Sequence, residues 1–477
     1  MADTFPASHH EDSYADALRR LLSLADFERM AGMMAPAIKN DLARMRELSE
    51  RIGGPWQAPI IHVAGTKGKG STVAVAASVL RAAGLSVGTF TSPHLHTFRE
   101  RISLNGEPAS EEQFAGALAR VWPHIEAMGN ESPHGRPTTF EALTAMAFDL
   151  FRHERVDAQV IEVGLGGRLD STNVVDAAVD VITSISLDHT AILGDTIAKI
   201  AAEKAGIIRS AVPVVSSPQS ADAFEVIDWR AREQRARLLV VGREITLDAG
   251  SHSLSDQRFA LRTARDEYAL VSPLLGAHQR DNVAVAIAAV EQLGLDVSHE
   301  AVVQGVRDVR WDGRFQALTA GDAERRNGPH VVVDGAHNPH SIMRLVETVR
   351  EYVAPERTVV VFGCSGDKDL APMIQELSAL ATSAVVCASR HPRASAPDAI
   401  AHAFETAGVP TEHAPDIPRA LVAAQAACGP NDLVLVTGSL FVVAEALQAW
   451  YGIQAERYPE LESQNQMTGI GLSGSLP

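Results

Sequence analysis

The residues best suited to chemistry stand in one short run, G-T-K-G-K-G-S-T, at positions 65–72. Glycines let a backbone turn sharply and aim successive N–H groups at an anion. A helix beginning there adds a partial positive charge. A lysine can then reach the terminal phosphates of a nucleotide, and a hydroxyl can serve Mg2+. Thr66, Lys67, Gly68, Lys69, Gly70 and Ser71 are therefore the expected ATP-binding turn. The usual spacing, G-x-x-x-x-G-K-[ST], is not met: position 63 is Val63, and Gly70 separates Lys69 from Ser71. A solvated Gly/Lys turn is the bland alternative, and the strand–turn–helix context favours phosphate binding.

Three more groups lie at or just after the ends of predicted strands: Ser92, Glu162 and His189. In an open parallel sheet such ends share the edge where ligands bind. With Ser71 they form a candidate Mg2+ site, for which carboxylate and hydroxyl oxygens are suited and a histidine is unusual. Singly, each reads as structural: Glu162 as a helix cap, His189 as a turn residue. Lys204, within a predicted helix, reads by itself as solvent-facing. Residues 164–169, G-L-G-G-R-L, break the dinucleotide fingerprint at Leu169.

The elements needed to hold these groups follow from periodicity and punctuation. Helices are expected over 14–53 (stopped by Gly53-Gly54-Pro55), 72–83, 110–127, 139–153, 196–207 and 278–293. Strands are expected at 60–64, 86–91, 156–163, 179–186 and 211–216, with a small antiparallel excursion over 237–273. A second series has strands at 330–334, 357–363, 383–388 and 432–437. The alternation predicts an α/β protein: a parallel-sheet ATP-binding unit over 1–310, a smaller Rossmann-like unit over 311–460 and a loose tail over 461–477, joined near 308–316.

Composition limits the function classes. The chain has 477 residues and a net charge of −17, which argues against general affinity for nucleic acid or anionic membranes. Apolar residues are 46% and aromatics only 5%, so aliphatic and alanine packing must build the core. Cys364, Cys387 and Cys428 fit no disulfide framework or zinc pattern and are expected as small core residues. No signal peptide or membrane span is legible, and a cytoplasmic monomer is expected.

Taken together, the motifs resemble the folylpolyglutamate synthase/dihydrofolate synthase family, relatives of the Mur ligases. The matching segments are H-V-A-G-T-K-G-K-G-S-T (62–72), T-S-P-H-L (91–95), E-R-I (100–102), T-T-F-E (138–141), E-V-G-L-G-G-R-L-D-S-T-N (162–173), L-D-H-T-A-I-L-G-D-T (187–196), E-K-A-G-I (203–207), G-R-F-Q (313–316), D-G-A-H-N-P (334–339), D-K-D (367–369) and T-G-S (437–439).

The resemblance implies ATP-dependent amide formation between a pterin-bearing carboxylate and L-glutamate, in a cleft between two domains. It makes Lys69 the phosphate lysine, and Ser71, Ser92, Glu162 and His189 the Mg2+ ligands, with two ions expected. Lys204 matches the lysine that the family carbamylates. Asn282, Arg314 and Asp334 match nucleotide contacts. Thr139, Phe140, Glu141, Leu169, Asp170 and Ser171 match the pterin-side pocket, and His337 matches a family histidine on the second domain's face of the cleft, either a catalytic group that orients or deprotonates the incoming amine or an anchor of the 334–339 turn. Two departures stand out: Lys67 occupies a position where many bacterial members have Asn, and A-H-Q-R-D-N (277–282) matches the family pattern loosely. The form of residues 166–173 resembles the bifunctional type, with a polyglutamate-only enzyme as the rival. A non-catalytic nucleotide-binding module is the alternative of a different class.

Overall fold

The computed structural model describes residues 13–26, 42–55, 57–318 and 328–456. Its first half is built on an eight-stranded sheet. In chain order the strands are β1 (Ile60–Ala64), β2 (Val87–Phe90), β3 (Ile102–Leu104), β4 (Glu107–Pro108), β5 (Ala158–Glu162), β6 (Val179–Ile182), β7 (Val214–Ser216) and β8 (Leu238–Val240). They lie in the order β4-β3-β2-β5-β1-β6-β7-β8. From β2 to β8 all pairs are parallel, and β3 and β4 add an antiparallel edge. Central strands such as β1 (I-I-H-V-A) and β5 are buried throughout, which their near-continuous apolar sequences require when helices cover both faces.

The helix Lys69–Ala82 follows the turn and packs against helices Ala277–Gln292 and His299–Asp308. Its run of Val, Ala and Ser is buried on nearly every side, so small residues are what let three helices approach. A second apolar cluster joins helices Tyr14–Leu22, Glu111–Glu131 and Thr139–His153. The last of these starts in a capping box, in which Thr138 and Glu141 satisfy each other's free backbone N–H groups.

A three-stranded antiparallel sheet follows: β9 (Thr246–His252), β10 (Gln257–Arg262) and β11 (Glu267–Ser272). The second half carries β12 (Gln316–Ala317), β13 (His330–Val333), β14 (Thr358–Phe362), β15 (Ser383–Val386), β16 (Thr411–His413) and β17 (Leu433–Thr437), in the order β12-β13-β17-β14-β15-β16. All its pairs are parallel except β12–β13. Cys364 and Cys387 lie in its apolar clusters.

Several expectations need correction. The single helix over 14–53 is at least two elements, Tyr14–Leu22 and Ala43–Arg51, with 27–41 outside the described residues. The excursion expected over 237–273 is antiparallel only from Thr246; Leu238–Val240 is the eighth strand of the main sheet. Strands β12 and β16 are too short to have announced themselves. The tail over 461–477 lies outside the described residues.

Two strands of contact bring the halves together away from the sheet edges. Gln448 Nε2 lies 3.2 Å from His96 Nδ1. Beyond the final helix, the Glu456 carboxylate accepts hydrogen bonds from Thr97 Oγ1 (2.6 Å), Phe98 N–H (3.0 Å) and the Tyr14 hydroxyl. Glu456→Ala is expected to lower stability by about 1–2 kcal/mol, the range for a lost charge-assisted set that water can partly replace. Denaturant titration checks this; an unchanged midpoint contradicts the clasp.

Candidate active site

The turn after β1 is held by the loop after β6. The N–H groups of Thr66 and Lys67 both donate to Ser184 O, at 2.9 and 3.2 Å. The Thr66 hydroxyl donates to Ser186 O at 3.1 Å and lies 3.2 Å from Ser186 N–H, which donates to it. Thr66 therefore staples two loops with its donors while still lining the cleft. The helix begins at Lys69, and the first ladder bond is from Thr72 N–H to Gly68 O (2.9 Å). That leaves the N–H groups of Lys69, Gly70 and Ser71 outside the helix ladder, where an anion is favoured.

The irregular glycine spacing has a packing cause. Gly68 has φ +92°, and a Cβ there would lie 2.3 Å from Asn282 Oδ1. A Cβ on Gly70 would lie 2.5 Å from the ring of Trp311, in the joint between the two sheets. The extra glycine between Lys69 and Ser71 is what lets that joint rest on the first turn of the helix. Asn282, buried, also donates to Gln279 Oε1 at 3.0 Å.

Charged groups crowd this edge. Lys69 Nζ stands 3.7 Å from Glu162 Oε1, and Ser92 N–H donates to Glu162 Oε2 at 3.2 Å. Burial pushes the Glu162 carboxyl above its usual range, with Lys69 pulling the other way. Lys204 is only 4% exposed, against the expectation of a solvent-facing side chain, and donates to Gly65 O at 2.8 Å. Burial, aided by the positive charge of Lys69, lowers its amine to about 7. Across the joint, Asp334 accepts from the N–H groups of Phe315 and Ala336, both at 2.8 Å. Burial raises the Asp334 carboxyl, and the neighbouring Arg314 opposes that rise.

The two sheets meet at Asp188. Lys67 Nζ donates to Asp188 Oδ2 at 2.9 Å, and Asn338 Nδ2 donates to the same oxygen at 3.0 Å. Lys368 Nζ stands 4.0 Å from Oδ1. Burial works against ionisation of Asp188, but Lys67 and its neighbours more than offset it and hold the carboxyl below its usual range. Lys67 Nζ also lies 2.9 Å from His337 Nε2. His337 Nδ1 is 2.8 Å from Gly335 O, a group that only accepts, so Nδ1 carries the proton and Nε2 its lone pair. Lys67 and burial together keep this imidazole neutral. Asp188, Asn338 and Lys368 were not among the expected site residues; the D-H, H-N-P and D-K-D segments carried the signal.

The pterin-side residues divide. Phe140, Glu141, Leu169, Asp170 and Ser171 line the cleft. Asp170 is buried and accepts from Leu165 N–H (2.9 Å), Thr172 N–H (3.0 Å) and the Thr172 hydroxyl (2.6 Å). Glu141 is paired with Arg44 at 2.7 Å. Thr139 corrects its expectation: its hydroxyl is directed to the carbonyls of Leu21 and Leu24 and does not line the cleft.

The charged groups and the lining pterin-side residues surround one cleft of about 2430 Å³, open to the carboxyl ends of both parallel sheets. Among the described residues no three His, Cys, Asp or Glu side chains gather as a metal cage. What the site does offer Mg2+ is a buried, undercompensated Glu162 carboxylate beside Ser92, with Ser71 on the helix that carries Lys69. This oxygen set suits a hard cation. His189 fits least: its side chain is 49% exposed, with Asp188 3.9 Å from Nε2. No helix among the described residues is long and apolar enough to cross a membrane.

Comparison with known proteins agrees with this geometry. The Mur ligase middle domain matches residues 63–290, and the Mur ligase glutamate ligase domain matches 313–440. The dihydrofolate synthase/folylpolyglutamate synthase of Bacillus subtilis is 38% identical over 427 residues, covering 87% of this chain and 96% of that protein. The folylpolyglutamate synthase of Lacticaseibacillus casei is 33% identical over 422 residues, covering 86% and 95%. The solved structure of Escherichia coli FolC in complex with DHPP and ADP superposes with a TM-score of 0.81 at 31% identity, covering 94% of this chain and 99% of that one.

The buried Lys204 carries a pH signature. Its amine falls from an ordinary 10.5 to about 7 in the fold, so between those values the unfolded chain binds the extra proton. Stability contributed by this site therefore rises with pH through that window. Lys204→Met should remove the rise and be relatively most stabilising, against wild type, near neutral pH. Parallel denaturant titrations at pH 7 and 9.5 check it; an unchanged pH slope in Lys204→Met contradicts the burial.

Proposed function

The chain belongs to the dihydrofolate synthase/folylpolyglutamate synthase family of Mur ligases, and from that membership we propose that it joins L-glutamate to dihydropteroate, giving dihydrofolate, and to reduced folates, giving polyglutamates, at the expense of ATP. The observation that carries this reading is the meeting of the phosphate turn with His337 in one cleft, 2.9 Å apart through Lys67. A phosphoryl donor and an amine acceptor can then address the same carboxylate.

A free carboxylate does not acylate an amine at neutral pH. Phosphoryl transfer to it yields an acyl phosphate, and the protein's contribution is positioning and charge neutralisation. Lys69 and the N–H groups of Lys69, Gly70 and Ser71 hold the phosphates, with Asn282, Arg314 and Asp334 on the nucleotide. Glu162, Ser92 and Ser71 would hold Mg2+, which supplies charge neutralisation on the phosphates when bound. Phe140, Glu141, Leu169, Asp170 and Ser171 receive the pterin side. The neutral His337 offers its Nε2 lone pair to the glutamate amine, orienting it or taking its proton as the amide forms. Lys204, with an amine lowered to about 7, is partly unprotonated near neutrality, the state that carbamylation requires. Closure of the two halves excludes the water that would hydrolyse the acyl phosphate.

Similarity to a relative named only folylpolyglutamate synthase keeps a second reading, addition to reduced folates alone. ADP release from purified protein, measured separately with dihydropteroate and tetrahydrofolate, decides between them. Release should require L-glutamate and one acceptor; release indifferent to glutamate sinks the ligase reading. Lys69→Ala should abolish turnover with every acceptor, by about 10²-fold or more for a lost group that stabilises transferring charge. His337→Ala should fold and retain nucleotide binding while losing turnover; wild-type turnover would leave His337 as an anchor of its own loop.

A further inference from the structure

Lys67 has an arrangement that phosphate binding does not explain. Its ammonium can only donate, and two of its hydrogens are committed: one to Asp188 Oδ2 and one to His337 Nε2, each at 2.9 Å. Because His337 Nδ1–H is fixed on Gly335 O at 2.8 Å, Nε2 is the ring's one acceptor, and Lys67 occupies it. The group proposed to meet the glutamate amine is thus capped by a residue of the phosphate turn.

The partners of Lys67 differ in strength. Asp188 is a largely shielded carboxylate, its side chain 9% exposed, that also takes Asn338 Nδ2, so it is anchored from both halves of the molecule. His337 is neutral. Burial disfavours the charge on Lys67, Asp188 supports it, and Lys69 and Lys368 nearby work against it. A nucleotide's terminal phosphate, bound at the adjacent first turn of the helix, would supply the strongest acceptor nearby. The weaker hold, on the imidazole, is the one to be exchanged.

We propose that Lys67 is a positioning residue that caps His337 Nε2 while the nucleotide site is empty and releases it to the incoming amine when a terminal phosphate draws the ammonium away. This rests on the phosphate and histidine roles proposed above and adds an order to them: the amine's acceptor becomes available only after the phosphoryl donor is in place.

The test uses full-length protein carrying 15N-histidine, held at a pH where the imidazole is neutral, with the His337 signal identified by its loss in His337→Gln. Calorimetry on the same samples measures binding of a non-hydrolysable ATP analogue with Mg2+. Wild type should show a downfield shift of the His337 Nε2 resonance on saturation, as an acceptor lone pair is freed. Lys67→Met, which cannot donate, should show the freed position both with and without analogue. Saturation that leaves the wild-type resonance unmoved overturns the proposal alone. A nucleotide-dependent shift that persists in Lys67→Met also overturns it. Failure to bind the analogue at all overturns the phosphate reading beneath it. Should Lys67→Met fail to fold, the wild-type pair still decides.

Discussion

The carboxylate of Asp188 touches both halves of the molecule at the point where two parallel sheets present their carboxyl ends to each other. It takes Lys67 from the turn after β1 and Asn338 from the segment after β13, with Lys368 from the segment after β14 close by. Parallel sheets place ligand-binding loops at one edge. Here two such edges face one cleft, and a single partly buried anion with cations about it fixes how they meet. The nucleotide turn, the candidate metal carboxylate Glu162 and the amine-side histidine are arranged around that meeting.

Burial, with the Lys67 charge for His337, gives these groups their chemical states. Glu162 and Asp334 are raised, Lys67 and Lys204 are lowered to about 8 and about 7, and His337 is kept neutral. Desolvation is opposed in each carboxylate by a nearby cation, Lys69 for Glu162 and Arg314 for Asp334. In such a site a triply charged nucleotide tail is a welcome counter-charge, and removing water strengthens every contact made to it. An amine lowered to about 7, as on Lys204, is what a site needs if that lysine is to carry a carbamate.

Much of this was legible in the sequence. The turn at 65–71, Ser92, Glu162 and His189 were placed together because strand ends of a parallel sheet share an edge, and that needs only local periodicity. The reason for Gly70 was not legible: it is the ring of Trp311, more than two hundred residues away, lying against the helix start. Lys204 read as solvent-facing because the burial of one helix face depends on what packs there, in this case the Gly65 carbonyl. Thr66 and Thr139 carry the hydroxyls expected of binding residues, yet both direct them to backbone carbonyls of neighbouring segments. Local sequence cannot tell a hydroxyl that binds a ligand from one that staples two segments, since both need the same chemistry at the same exposed edge.

The central claim is that the phosphate turn delivers a phosphoryl group to a carboxylate that His337's side of the cleft then converts to an amide. Dihydropteroate labelled with 18O in both carboxylate oxygens tests it directly. If an acyl phosphate forms and the glutamate amine displaces phosphate, each turnover transfers one 18O into inorganic phosphate, read by mass spectrometry alongside the amide product. Amide formed with unlabelled phosphate would contradict the account.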